Sequence, residues 1–222
     1  MGFIHEDRFE VQDIEAITTA GGRRYKVPNG ELYESVTTAL GRQPEKKKSL
    51  MEWRRRVGDA EANRISRKAA GRGTAVHSII EDYLNNVEQP AKDRMPDAVV
   101  MFKSLKPILD KSISKVYMQE APLWSNKYRL AGRVDCIADI KGKLSVVDFK
   151  TSMKIKKREW VKDYFLQTAA YSHMIEEMYG DTVDQTVIFI AVEDRDPQIF
   201  VGDPHTDIQD TFFQERLHEE NI

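Results

Sequence analysis

The chain has 222 residues, 41% of them hydrophobic and 32% charged, with a formal net charge of −2 and one cysteine, Cys136. This describes an ordinary soluble globular protein with a substantial core. It excludes an apolar run long enough to span a membrane, an intramolecular disulfide, and a four-cysteine zinc or iron–sulfur site. The start, Met1-Gly2-Phe3-Ile4-His5, lacks the basic and then apolar pattern of a secretory signal, so an intracellular, cytoplasmic location is expected.

Charge is uneven along the chain. Residues 45–72 hold ten Lys or Arg against four acids, and residues 193–222 hold nine acids against two basic residues. A second basic cluster is Lys154, Lys156, Lys157 and Arg158. The near-neutral total therefore conceals a basic front that suits nucleic acid and an acidic tail.

In chain order, short strands are expected at 9–11 and 24–27, separated by the turn signal Gly21-Gly22. Ser35-Val36-Thr37-Thr38 leads into a helical region covering 51–57 and 60–70, which Gly71-Arg72-Gly73 should break. From Thr74, Val76, Ile79, Ile80, Tyr83 and Leu84 give the apolar spacing of a new helix. A further helix is expected at 96–109. Strands follow at 114–121, 128–139 and 143–150, the last two joined at Lys141-Gly142. A long helix over 157–179 should end at Gly180, before strands at 186–192 and 198–201 and a helix at 206–217. This order gives an α/β core in a single domain, with 1–72 supplying strands and basic helices and 73–222 the core.

The chemistry concentrates in the hairpin. Gly132-Arg133-Val134-Asp135 precedes Asp148-Phe149-Lys150-Thr151-Ser152, and a turn at Lys141-Gly142 sets Asp135 opposite Asp148. Alternation puts Asp148 and Lys150 on one side of the strand and Phe149 on the other. A surface charge pair is the bland account. Val134, Ile137, Val146, Val147 and Phe149 mark buried strands, where such a set is costly without a metal ion. Mg²⁺ or Mn²⁺ suits hard oxygen ligands of this kind.

These residues resemble the PD-(D/E)XK nucleases, in particular the RecB-like exonuclease branch that includes mitochondrial genome maintenance exonucleases and phage-encoded relatives. The likeness runs in order through Ser35-Val36-Thr37-Thr38, Trp53-Arg54-Arg55-Arg56-Val57-Gly58, Gly71-Arg72-Gly73-Thr74-Ala75-Val76-His77, the two hairpin motifs, and Gln167-Thr168-Ala169-Ala170-Tyr171. Val134 stands where the superfamily name has proline, and Asp148 where many members have Glu; both variants look usual for the RecB-like branch. The resemblance implies a restriction-endonuclease-like core, a central mixed sheet flanked by helices with an N-terminal helical region over the site. It implies metal held by Asp135, Asp148, the Phe149 carbonyl and His77, with Lys150 catalytic. Gln167 and Tyr171 match its Gln-x-x-x-Tyr signature, which helps hold the site and the DNA strand.

Other positions are weighed against plainer roles. His77, alone on an amphipathic helix, would ordinarily be a packed or solvated side chain; the motif makes it a site residue, and Glu81 one turn on is either its orienting partner or a solvated helix residue. Trp160, Tyr164, Gln167 and Tyr171 share a helical face, and for Trp160 and Tyr164 a core stripe is the expectation. Glu120, ahead of the hairpin, is either another acid for the metal shell or a strand-end charge, the second being the reading slightly preferred. Arg54, Arg55, Arg56, Arg64, Arg72, Thr151 and Ser152 are the candidate DNA contacts. The expected activity is a Mg²⁺- or Mn²⁺-dependent DNA exonuclease, without an iron–sulfur cluster, working on single-stranded ends in replication, recombination or repair. A phage-encoded protein would act in the host cytoplasm. A structure-selective endonuclease and a silent nucleic-acid-binding module are the alternatives.

Overall fold

Runs rich in Val, Ile and Phe favour strands, and in the computed structural model, which describes residues 2–218, they form the middle of a nine-stranded mixed sheet. The first half contributes β1 (Ile4–His5), β2 (Glu15–Thr19), β3 (Gly22–Lys26), β4 (Leu32–Ser35), α1 (Val36–Gly41), α2 (Pro44–Val57), α3 (Asp59–Leu84) and α4 (Pro96–Ser112). The second half contributes β5 (Ile113–Ser125), β6 (Leu130–Ile140), β7 (Lys143–Ser152), α5 (Lys162–Tyr179), β8 (Gln185–Val192), β9 (Gln198–Gly202), α6 (Pro204–Asp207) and α7 (Thr211–His218). Local chemistry sets several boundaries. The Ser35 hydroxyl accepts from the Thr38 amide at the start of α1, proline opens α2 and α4, and Gly180 ends α5 at φ 76°. Lys141 and Gly142, both at positive φ, close the β6–β7 hairpin.

The sheet runs β2-β3-β4-β6-β7-β8-β9, with β5 along the other edge of β6 and β1 beside β5. One edge of β6 is shared between two strands. β4 pairs in parallel with Leu130 and Ala131, and β7 pairs antiparallel from Cys136 onward. Residues 132–135 lie between those pairings, so the sheet forks there. Beyond Val147, β7 leaves β6 and continues in parallel register with β8.

A helical layer packs on each face. Leu166, Ala169, Ala170, Met174 and Ile175 of α5 cover Leu130, Val134, Ile137 and Val146 on one side. Val76, Ile79, Ile80 and Leu84 of α3, with α4, cover Cys136, Val147, Phe149, Val187 and Phe189 on the other. Among the described residues no helix is long and apolar enough to cross a membrane.

Several expectations are corrected. Residues 9–11 form no strand, whereas β2 and β4 flank β3, which occupies the expected 24–27 segment. Gly71 and Gly73 do not break the helix: α3 runs from Asp59 to Leu84 and crosses the proposed 72/73 division. Each glycine costs about 1 kcal/mol relative to alanine. The buried apolar row and the Arg72–Glu193 pair outweigh that. The helix expected over 157–179 starts as a 3-10 turn, Arg158–Val161, before α5, and the last helix is interrupted between α6 and α7.

Candidate active site

The fork gathers the charged residues. Asp135 and Asp148 would form the next pair after Cys136–Val147 in hairpin register, but there the ladder has opened. The Phe149 N–H, freed from β6, donates instead to Asp135 Oδ2 at 2.8 Å. A strand residue's amide and carbonyl face the same edge, so the Phe149 carbonyl also faces the fork. Lys150 Nζ donates to Asp148 Oδ1 at 2.5 Å and to Gln167 Oε1 at 3.3 Å, and it lies 5.1 Å from the Tyr164 ring centroid. His77 Nδ1 lies 3.6 Å from Asp135 Oδ2, bringing α3 into the site from the opposite layer. Glu81 lines the same cavity one helical turn on.

Gly132 allows α5 to come close. A Cβ there would sit 2.6 Å from the Tyr171 hydroxyl, so any side chain would collide with the buried tyrosine. The cavity over the fork, about 540 Å³, is lined from both layers by His77, Glu81, Glu120, Asp135, Lys150, Gln167 and Tyr171. Ser35 and Thr37 close it from the α1 side.

Glu120 is the residue the sequence reading misplaced. It falls between the Gln119–Cys136 and Ala121–Val134 pairs, at the positive φ of 45° that a glutamate adopts only under local constraint. One ligand atom each from His77, Glu120 and Asp135 lie within 4.8 Å of one another. Burial, then the neighbouring Asp135 and Glu81, push the Glu120 carboxyl up to about 7. No spacing rule reveals such a kink; an acid on the strand beside Asp135 was the available signal. Arg23 and Arg133 also line the cavity, and the sequence reading named neither as a site residue.

The donor set fits a divalent cation. Asp148 is buried, and its Oδ2 has no hydrogen-bond partner among the described residues. Burial raises the Asp148 carboxyl, with Asp135 adding to the effect and Lys150 opposing it. Burial acts against the Lys150 ammonium, but Asp148 and Asp135 outweigh it and keep the proton on the amine. Tyr171 is held well above its ordinary value by burial and then by the two aspartates, so its phenol stays neutral. Crowded carboxylates around an unsatisfied buried oxygen are the electrostatic signature of a cation site. Asp135, Asp148, the Phe149 carbonyl, His77 and Glu120 are the groups that would hold the ion.

The expected DNA contacts divide. Arg55 and Arg56 are exposed on α2, whereas Arg54 binds Asp59 and Asn63, and Arg64 makes a bidentate pair with Glu61. Arg72 is buried against Glu193, which removes it from the nucleic-acid surface. Ser152 is buried in a turn, donating to the Lys154 carbonyl at 2.6 Å, while Thr151 is half-buried. Trp160 is not core: it is 58% exposed.

An acidic pair and a lysine on a forked mixed sheet, reached by a helix from each layer, define a nuclease-type site. Residues 111–220 match the model of the PD-(D/E)XK nuclease superfamily, and the chain belongs to that superfamily. Members of the superfamily use divalent metal ions.

Among curated relatives, mitochondrial genome maintenance exonuclease 1 of Xenopus tropicalis is 30% identical over 144 residues, covering 63% of this chain and 39% of the relative. The Mus musculus protein of the same name is 27% identical over 190 residues, covering 81% and 56%. The chain thus spans between 39% and 56% of the length of these relatives. A solved structure of a candidate exonuclease from Eubacterium rectale aligns at 18% identity and TM-score 0.43, covering 68% of this chain and 62% of that one.

Proposed function

We propose that the protein is a Mg²⁺- or Mn²⁺-dependent deoxyribonuclease that hydrolyses phosphodiester bonds from single-stranded DNA ends. The observation that carries this reading is the fork itself. Asp135 and Lys150 line a cavity there, Lys150 is bonded to the buried Asp148 behind it, and one Asp148 carboxylate oxygen has no hydrogen-bond partner among the described residues. The exonuclease names of the curated relatives support an end-directed reaction.

When bound, a divalent ion supplies Lewis acidity toward the phosphate and acidifies a coordinated water. The residues do the rest. Asp135 and Asp148 supply hard oxygen donors, and the Phe149 amide fixes the Asp135 carboxylate in place. Lys150, locked by Asp148 and Gln167, presents an ammonium to the developing charge on the phosphoryl oxygens and orients the attacking water. Tyr171 packs Gln167 against the hairpin through the Gly132 gap.

The test is cleavage of linear and circular single-stranded DNA, labelled at either end, in Mg²⁺, Mn²⁺ or EDTA. Wild type should degrade linear DNA only, and Asp148→Asn and Lys150→Ala should be inactive while remaining folded. Cutting of the circle would replace the exonuclease reading with an endonuclease. Retained turnover in both variants would remove the assigned mechanism.

A further inference from the structure

Trp160 stands 58% exposed in a segment whose other large apolar side chains, Met153 at 58% and Ile155 at 48%, are also open to solvent. Helical spacing lines it up with Tyr164, Gln167 and Tyr171, yet burial changes steadily along that line. Tyr171 is 3% exposed and Gln167 8%, Tyr164 is half-buried beside Lys150, and Trp160 is open. The row therefore leads from the reactive lysine out to solvent.

The segment is held rigidly. Ser152 and Lys154 close a turn, and the Gln198 side chain accepts from the Lys156 amide at 2.7 Å and donates to its carbonyl at 2.9 Å. One basic side chain, Lys157, which also lies 3.8 Å from Glu159, flanks the exposed ring. Lys157 Nζ lies 5.3 Å from the Trp160 ring centroid, and Lys154 is exposed nearby. Across the gap, Met153 lines a small cleft with Arg64 and Lys68 of α3, and Lys46 of α2 pairs with Asp163 in the first turn of α5 at 2.5 Å. An exposed aromatic ring with a lysine at its face is the chemistry that stacks unpaired bases.

We propose that Trp160 is a base-stacking platform on the path of a single-stranded DNA substrate, with Met153 beside it, between the 153–160 segment and the α2–α3 helices. This rests on the nuclease reading for the identity of the strand. Two residues of the 3-10 turn at about 2 Å each and five of α5 at about 1.5 Å each separate Trp160 from Gln167, about 11–12 Å. That is roughly three stacked nucleotides from the reacting phosphate at about 3.4 Å per step. Trp160 would set the register of the strand without touching the reacting atoms.

The experiment measures binding of a short end-labelled oligonucleotide by anisotropy, with Mg²⁺ present and in the Asp148→Asn background so that no cleavage intervenes. Trp160→Ala should weaken binding by about tenfold or more, and Trp160→Phe should retain most of the affinity. An oligonucleotide with one abasic site about three nucleotides from the scissile position should bind the parent and Trp160→Ala equally weakly. Unchanged affinity in Trp160→Ala would overturn the proposal, as would an equal loss with intact and abasic strands. Trp160-dependent binding by a protein whose wild type cleaves nothing in any metal would sustain the platform and refute the nuclease. Cleavage with no Trp160 dependence would do the reverse.

Discussion

Replacing Gly132 with alanine tests whether the fork is built as described. The new Cβ would meet Tyr171 at 2.6 Å from its hydroxyl oxygen, 2.8 Å from Cε1 and 3.1 Å from Cζ, against a ring that is itself buried. Neither partner is the loose end of a flexible chain, so the ring or the strand must shift. Overpacking of this kind costs about 1–3 kcal/mol. For a domain of this size that lowers Tm by about 2–12 °C in differential scanning fluorimetry. Because Tyr171 lies one turn from Gln167, which positions Lys150, a shift of about 1 Å should also lower turnover by about a hundredfold. Tyr171→Phe in the Gly132→Ala background removes the closest contact but leaves Cε1, so it should restore part of the stability. A Gly132→Ala protein with wild-type Tm and turnover would show that β6 and α5 do not meet in this way.

Three further substitutions separate structural from functional charges. Arg72→Met leaves the one-third-exposed Glu193 without its buried partner and should cost about 1–3 kcal/mol, read as a Tm drop of about 2–12 °C, whereas Arg55→Ala and Arg56→Ala should leave Tm nearly unchanged. A stable Arg72→Met protein whose DNA binding had lost salt dependence would return that arginine to the nucleic-acid surface. His173 is held below its ordinary 6.5, first by burial and then by Lys127, and its buried Nε2 lacks a hydrogen-bond partner among the described residues. The unfolded chain therefore binds the proton more readily. The stability His173 contributes is complete above pH 6.5 and is lost as the pH falls through the lower folded value, by at most about 1.4 kcal/mol per pH unit. Denaturant midpoints of His173→Gln should show a flatter pH profile than wild type below pH 6.5; parallel profiles would remove His173 as the cause.

Much of this was legible before any coordinates, for reasons that are local. The β6–β7 hairpin could be read because Lys141-Gly142 fixes the turn, and a period-two strand then sets which residues oppose Asp135 and share a side with Lys150. Gln167 and Tyr171 could be placed because a helix repeats every 3.6 residues and the motif supplied the anchor. What failed depends on distant partners. The glycines of α3 look like a break until the sheet beneath them and Glu193, far along the chain, supply the packing. Arg72 looks like a phosphate ligand for the same reason. Trp160 looks like core because its spacing matches Tyr164, but the 3-10 turn ends the regular helix before it. Glu120 falls opposite Asp135 in the unbroken register between Gln119–Cys136 and Ala121–Val134, but its positive φ is a local distortion that no periodicity encodes.

The fork explains why these residues occupy one place. Opening the ladder beyond Cys136–Val147 frees backbone groups that a continuous sheet would have paired, and each must find another partner or be left for a ligand. Asp135 takes the Phe149 amide, and Tyr171 fills the space that Gly132 leaves. Asp148 Oδ2 keeps no hydrogen-bond partner among the described residues, and Glu120 is crowded by like charge. A site completed within the protein would be more stable and would have no use for a cation. Leaving it incomplete at a gap open to both helical layers lets α3 deliver His77 to Asp135, while α5 brings Gln167 to Lys150 and Tyr171 against Gly132. The same logic extends outward along α5, where the aromatic row becomes progressively exposed until Trp160 is left without cover. On the reading developed above, the unpaired oxygen awaits a metal ion and the uncovered ring awaits a base. Both features cost the free protein stability that substrate and cation restore on binding.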